Sequence, residues 1–305
     1  MKLPVSVDTA VLLAAGRGRR LSPWTDRTPK PLLVHRGRPT LDFVLDALAL
    51  AGVSRVVLVT HHLADQLVAY AASRRAATSQ DLVCIRQDRL FGTAHALQCV
   101  MYARPELLVT PFVLSATDYL VPPTFYRDLL HFHAGHDADL SVSLKALGED
   151  ATARSSVRFG APGMSGAPGV SGAPDVPGVP GVPGAPDVPN VPNVSGGPGG
   201  PDAATATPPV GVASTPDAPS DVTAGDILEI VEKPAPGTAP SAIAANLCFV
   251  LPPELLGHVG ETGVSPRGER EIQTTINAWL AAGGRARGLL QPVPPEWDPE
   301  QSARF

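Results

Sequence analysis

Gly16 and Gly18 close a short apolar run, and Arg19, Arg20, Arg27 and Lys30 follow soon after. Glycines let backbone N–H groups approach phosphate oxygens closely, and the cations neutralise them. The loop is therefore fit to hold a polyphosphate. Two commoner motifs do not apply. Leu21 stands where the dinucleotide fingerprint needs its third glycine, and no Gly-Lys-Ser/Thr ends the loop as a P-loop requires. Further along, Asp118 ends an apolar strand, at the edge where open α/β sheets place their ligands. Glu232-Lys233-Pro234 follows another strand. His131, His133 and His136 are spaced i, i+2 and i+5 on a predicted helix, so they cannot share one face as metal ligands.

The elements that must position these residues alternate. Thr9 to Ala15 reads as a buried strand, residues 41–51 as a helix stopped by Gly52, and 55–60 as a β-branched strand. A helix over 63–73, a strand over 82–86, a helix over 94–102 and a strand over 112–116 come next. Residues 125–135 then predict a helix and 138–144 a strand. This alternation predicts an α/β fold, Rossmann-like, with an open and mostly parallel sheet and helices on both faces. Strands at 155–159, 226–231 and 244–251 and a helix at about 270–282 complete the pattern.

From 160 to 225 the sequence is almost entirely Gly, Pro, Ala, Val, Ser, Thr, Asp and Asn, without an aromatic residue, Lys or Arg. Such a segment cannot offset its chain entropy, and disorder is expected. Glycine does not fall at every third place, which excludes a collagen helix. The segment joins two predicted strands, so the chain is expected to be a single domain, 1–305, interrupted by an insertion. A net charge of −5 argues against a general nucleic-acid binder. Three cysteines without framework spacing favour a reducing compartment. With no signal peptide and no apolar span long enough for a bilayer, a cytoplasmic protein without a membrane partner is expected.

Leu13-Ala14-Ala15-Gly16-Arg17-Gly18-Arg19-Arg20-Leu21, continued by Pro23 and Pro29-Lys30-Pro31-Leu32-Leu33, resembles the signature of the sugar nucleotidylyltransferase (NDP-sugar pyrophosphorylase) family. Later stations fall in the family's order. Gln87, five residues before Gly92-Thr93-Ala94, looks like the segment that packs against the base. A side-chain amide donates and accepts at once, which suits the carbonyl and imide edge of uracil or thymine. The resemblance makes Asp118 a ligand for Mg²⁺, which takes carboxylate oxygen and substrate phosphates. It gives Lys233 the incoming sugar phosphate and Glu232 a sugar hydroxyl. Residues 268–276 resemble a family helix of mostly structural purpose.

The reaction this implies is attack of a sugar-1-phosphate oxygen on the α-phosphorus of a nucleoside triphosphate, releasing pyrophosphate. UTP or dTTP is favoured. No side-chain nucleophile is needed, so catalysis reduces to in-line positioning and charge neutralisation. Arg20 would meet the leaving phosphates, Lys30 the α-phosphate and Lys233 the attacking phosphate. Mg²⁺ on Asp118 would bridge phosphate oxygens.

The sequence also departs from the family. Arg19 replaces a threonine or serine, and Thr117 replaces the glycine before the metal aspartate. Asn246-Leu247-Cys248 stands for Asn-x-Gly, altering the sugar-contacting turn at Asn246. Trp297-Asp298-Pro299-Glu300 is what remains of a Trp-x-Asp motif whose aspartate, here Asp298, is the second metal ligand. Two other readings stay open: a cytidylyltransferase for a phosphorylated alcohol, and a degenerate nucleotide-binding regulatory protein. A uridylyltransferase for an amino sugar phosphate is a further alternative of the enzymatic kind, and a homo-oligomer is compatible with all.

Overall fold

A computed structural model describes residues 6–136, 138–146, 155–160, 223–292, 294–295 and 297–299. The insertion expected at 160–225 lies, apart from its ends, outside the described residues. The chain divides into one unit of residues 1–163 with 219–305, and a second of 164–218 that falls wholly outside them.

Five strands come first: β1 (Thr9–Leu13), the two-residue pair β2 (Val34–His35) and β3 (Arg38–Pro39), β4 (Arg55–Thr60) and β5 (Asp81–Arg86). Then come β6 (Phe112–Ala116), β7 (Leu140–Ala146), β8 (Ser155–Phe159), β9 (Thr223–Glu232), β10 (Ile243–Leu251) and β11 (Ala286–Leu290). The helices are α1 (Thr40–Leu50), α2 (Ala64–Ala77), α3 (Thr93–Ala103), α4 (Phe125–Gly135), the short α5 (Leu256–Val259) and α6 (Ile272–Ala281).

Nine strands form one sheet in the order β5-β4-β1-β6-β10-β7-β11-β9-β8, while β2 and β3 pair only with each other. The first half is parallel, β5 to β4 to β1 to β6. The second half corrects the expectation of an open, mostly parallel sheet. β10 runs antiparallel to both β6 and β7, and β9 antiparallel to β11 and β8. Only β7 and β11 are parallel there. Parallel neighbours need a crossover helix, and no helix intervenes between β9 and β10 or between β7 and β8 among the described residues. β8 also pairs with β10 through Ser155 and Ser156, so five strands close upon themselves.

Helices do cover both faces, because strand side chains alternate. Val11, Val57, Val59 and Leu114 point to a core shared with Leu97 and Val100 of α3 and Ile276 and Trp279 of α6. Ala10, Leu12, Val56 and Leu58 point to the opposite core, under Leu41 and Leu45 of α1, Leu67 of α2 and Phe125 and Leu129 of α4. β11 is not among the strands predicted from the sequence, and Gly288 near its centre has little preference for a strand. Gly288 is required there: a Cβ would come within 2.1 Å of Leu144 Cδ1 on neighbouring β7.

No helix among the described residues is long and apolar enough to cross a membrane.

Candidate active site

β1 and β6 are adjacent parallel strands, so their carboxyl ends emerge side by side. Thr117 fixes them to each other by donating its hydroxyl proton to the Leu13 carbonyl at 3.2 Å. The glycine loop leaves β1 and the aspartate leaves β6 at this point. Gly18 takes a left-handed φ of 61°, and a Cβ there would lie 2.9 Å from Thr25 Cγ2. Thr25 Oγ1 donates to the Gly18 carbonyl at 3.0 Å, folding the loop back onto itself. Three single-turn 3₁₀ segments follow, at Arg19–Leu21, Trp24–Asp26 and Lys30–Leu32. The last is held at the start of α1, where Thr40 Oγ1 donates to the Pro31 carbonyl at 2.9 Å.

This path delivers Lys30 to Asp118. Its Nζ is 2.7 Å from Asp118 Oδ2. The second carboxylate oxygen, Oδ1, is buried and has no hydrogen-bond partner among the described residues.

Both residues line a cavity of about 600 Å³. Leu13, Ala14, Ala15, Gly16 and Gly18 form one wall, with Gln87, Gly92 and Thr93 at another side. Gln87 is almost wholly buried, and its Nε2 donates to the Gly92 carbonyl at 3.0 Å. Gly92 has φ 95°, and a Cβ there would meet the Arg270 carbonyl oxygen at 2.3 Å. The 269–272 segment is thus built against this glycine, with Ile272 N–H donating to Thr93 Oγ1 at 2.8 Å. The guanidinium of Arg270 is spent on Thr262, Gln98, Val259 and Gly260, which anchors the segment from behind.

The remaining sequence-predicted residues fall elsewhere. Arg20 is exposed and outside this lining, whereas Arg17 and Arg19 belong to it. Glu232 and Lys233 line a second cavity of about 480 Å³ beside Arg267 and Glu271. Glu232 is engaged there by Ser155, by Gln273 Nε2 at 3.1 Å and by Arg267 Nη2 at 3.3 Å. Lys233 turns the chain after β9 with φ 46°. Asn246 is fully buried and donates to Ser143 Oγ at 2.9 Å, while its neighbour Leu247 lines the first cavity. Asp298 lies outside both linings, next to Trp297, whose indole N–H donates to the Val34 carbonyl. Among the described residues no three His, Cys, Asp or Glu side chains cluster as a metal site.

Leu90 and Glu269, which also line the first cavity, carry no signal in the sequence. Arg19 was read as a cation of the loop, whereas Arg17 and Leu247 were named in their motifs without a role in the site.

Residues 10–161 match the MobA-like NTP transferase domain. The bifunctional protein GlmU of Pelobacter propionicus is 32% identical over 133 residues, 44% of this chain and 27% of that protein. The catalytic subunit beta of mannose-1-phosphate guanylyltransferase from Drosophila pseudoobscura pseudoobscura is 29% identical over 143 residues, 46% of this chain and 37% of that protein. Residues 10–161, about half of the chain, thus form a nucleotidyltransferase domain of the MobA-like type. The matches span only about a third of the length of these two relatives. The fold extends further than the sequence likeness. The structure of a UDP-glucose pyrophosphorylase complexed with UDP-glucose superposes with a TM-score of 0.65, at 16% identity over 93% of this chain and 90% of that one. The nucleotidyltransferase fold therefore includes β9 to β11, beyond the matched domain.

Proposed function

We propose that this nucleotidyltransferase moves a nucleotidyl group from UTP or dTTP to a sugar-1-phosphate, forming an NDP-sugar and pyrophosphate. The observation that carries this reading is the convergence of a glycine-loop backbone, Lys30 and Asp118 on one cavity. A pre-placed cation at a carboxylate, facing backbone N–H groups, suits a triphosphate whose α-phosphorus is under attack.

The residues present fit Mg²⁺. Asp118 offers a buried oxygen without a donor, and a hard cation completes its shell with phosphate oxygens and water. When bound, the ion would neutralise phosphate charge, with Asp118 its protein ligand and Asp298 the second expected one. The chain's own residues do the rest. Gly16 and Gly18 bring backbone donors to the phosphates. Lys30 turns from Asp118 to the α-phosphate, where charge accumulates as the bond to pyrophosphate breaks. Arg17 and Arg19 in the lining, with Arg20 beside Arg19 on the same 3₁₀ turn, stabilise the leaving group. Glu232, Lys233 and Asn246 serve the sugar-1-phosphate, and Gln87 with Gly92 and Thr93 the base.

Pyrophosphate release measured over a matrix of nucleoside triphosphates and sugar-1-phosphates, with Mg²⁺, tests the proposal. Turnover with UTP or dTTP and at least one sugar-1-phosphate is expected. Turnover only with CTP and a phosphorylated alcohol would replace it with cytidylyl transfer. Nucleotide binding without turnover on any pair would replace it with a regulatory binding protein.

A further inference from the structure

His95 has no part in the chemistry above, yet it touches the side chain assigned to the base. Its Nδ1 lies 3.0 Å from Gln87 Nε2, and the same Nε2 lies 3.0 Å from the Gly92 carbonyl oxygen. A carbonyl can only accept, so the nitrogen of the Gln87 amide must be the atom that faces Gly92. Its second proton then points at His95 Nδ1, which must accept and so carries no proton. The ring proton of the neutral imidazole then sits on Nε2. Burial is the main cause that holds the imidazole below its ordinary pKa, and Arg270 adds to it. Arg89 and Asp88 also act on the ring, the charge of Asp88 in the opposite sense. The edge of Phe91 packs against its face, with ring centroids 5.9 Å apart.

Both amide protons of Gln87 are therefore committed inside the protein. Only Oε1 remains for the cavity that Gln87 lines. A residue able to donate and accept has become an acceptor.

We propose that His95 fixes the Gln87 amide in this orientation and thereby selects a base that presents a ring N–H. This rests on reading the cavity as the nucleotide site. Uracil and thymine carry such a group at N3 and guanine at N1, whereas cytosine N3 and adenine N1 are bare acceptors that would oppose Oε1. His95 is a positioning residue, acting through Gln87. An acceptor facing an acceptor in a buried site is expected to weaken binding on the order of tenfold to a hundredfold.

Equilibrium binding of UTP, CTP, GTP and ATP to the full chain with Mg²⁺, without any sugar phosphate, tests the assignment. UTP should bind at least tenfold tighter than CTP, or GTP than ATP, according to which ring size fits. His95→Leu, which cannot accept the amide proton, should shrink that ratio severalfold. His95→Asn should restore part of it, because its side-chain oxygen accepts. Tighter binding of CTP or ATP, an unchanged ratio in a folded His95→Leu chain, or no binding of any triphosphate overturns the proposal. Should His95→Leu fail to fold, the wild-type chain decides with N3-methyl-UTP, and binding equal to UTP overturns it. If the ratio behaves as expected but no pyrophosphate is ever released, the proposed reaction fails while the base assignment stands.

Discussion

Lys30 Nζ stands 2.7 Å from Asp118 Oδ2, an ion pair between residues 88 apart in sequence. It joins the glycine loop after β1 to the end of β6. Neither side chain is far from solvent, so the pair contributes little to stability on its own. Its consequence is placement: in the proposed reaction, the ammonium stands where the α-phosphate would come. Lys30→Gln keeps length and polarity while removing the charge. Pyrophosphate release should fall on the order of 10²–10³-fold, the scale of one preorganised electrostatic contact. The melting temperature should stay within a few degrees, as checked by thermal unfolding alongside the steady-state kinetics.

Asp118 has an opposite dependence. Chelation of divalent cations by EDTA should abolish turnover, and added Mg²⁺ should restore it. The chain should stay folded throughout, because Lys30 already balances the carboxylate without an ion. Asp118→Asn should raise the Mg²⁺ concentration needed for half-maximal rate at least tenfold, a lost charged ligand costing more than about 1.4 kcal/mol. A metal titration reads this directly. Unchanged titration curves would remove Asp118 from the metal site.

The glycines of the loop differ in what they do for folding. Gly18 is left-handed and closely approached by Thr25, whereas a Cβ on Gly16 would meet nothing within 4 Å. Gly18→Ala should destabilise the chain by about 1–2 kcal/mol, the cost of an alanine forced into that region. Gly16→Ala should leave stability within about 0.5 kcal/mol, as is usual for open surface sites. Any loss of activity in Gly16→Ala then reports on phosphate approach alone. Urea unfolding of both variants, compared with their rates, separates the two roles.

Much of this arrangement could be read beforehand. The strands at 55–60, 112–116 and 155–159 and the helix at 125–135 fall where the sequence puts them, because each is a strongly patterned run with clear ends. Gly16, Gly18, Lys30, Gln87 and Asp118 were legible for a different reason: their spacing is the signal, and it survives folding. Arg20 and Asn246 show where reading stops. A 3₁₀ turn at residues 19–21 decides which arginine faces the cavity, and no period in the sequence announces that turn. Asn246 is buried against Ser143 while Leu247 lines the cavity, and an irregularity in register between Ala245 and Phe249 falls at this pair. The sheet's mixed direction was hidden too, since strand-like runs look alike whichever way they pair.

Acid should destabilise the fold in two stages. Burial, with Arg36 beside it, lowers the pKa of His35 from 6.5, and burial with Arg270 lowers that of His95. Asp8 is lowered from 3.8 by its hydrogen bond to Arg55. Burial would raise Asp46, but hydrogen bonds from Arg38 and Arg74 prevail and lower it. All four sites take up protons at higher pH in the unfolded chain than in the folded one, so unfolding is favoured as pH falls. The histidine contribution is intact above pH 6.5 and fades below it, and the carboxylate contribution fades below pH 3.8. The urea midpoint should therefore decline from pH 7 to 5 and again below 4. His95→Asn should flatten the first decline only.

β8 and β9 pair antiparallel, Phe159 opposite Ile227, and Gly160 N–H donates to the Asp226 carbonyl at 2.8 Å. The two strand ends thus meet without help from the 161–222 segment, whose Pro- and Gly-rich composition offers no apolar side chains larger than valine and a single methionine. Replacing 161–222 with a short Gly-Ser linker should leave the core under α6 intact, because β9 is held independently by β11 and by Asn277 of α6 at Ile230. Loop closure grows only slowly with length, about 0.6 kcal/mol per doubling, so the shortened chain should be slightly more stable. Its pyrophosphate release should remain within about twofold of the full chain, since every residue assigned to the substrates lies outside 161–222. A shortened chain that no longer unfolds cooperatively would mean that 161–222 is part of the domain rather than an insertion in it. A folded but inactive one would place that segment in the reaction itself.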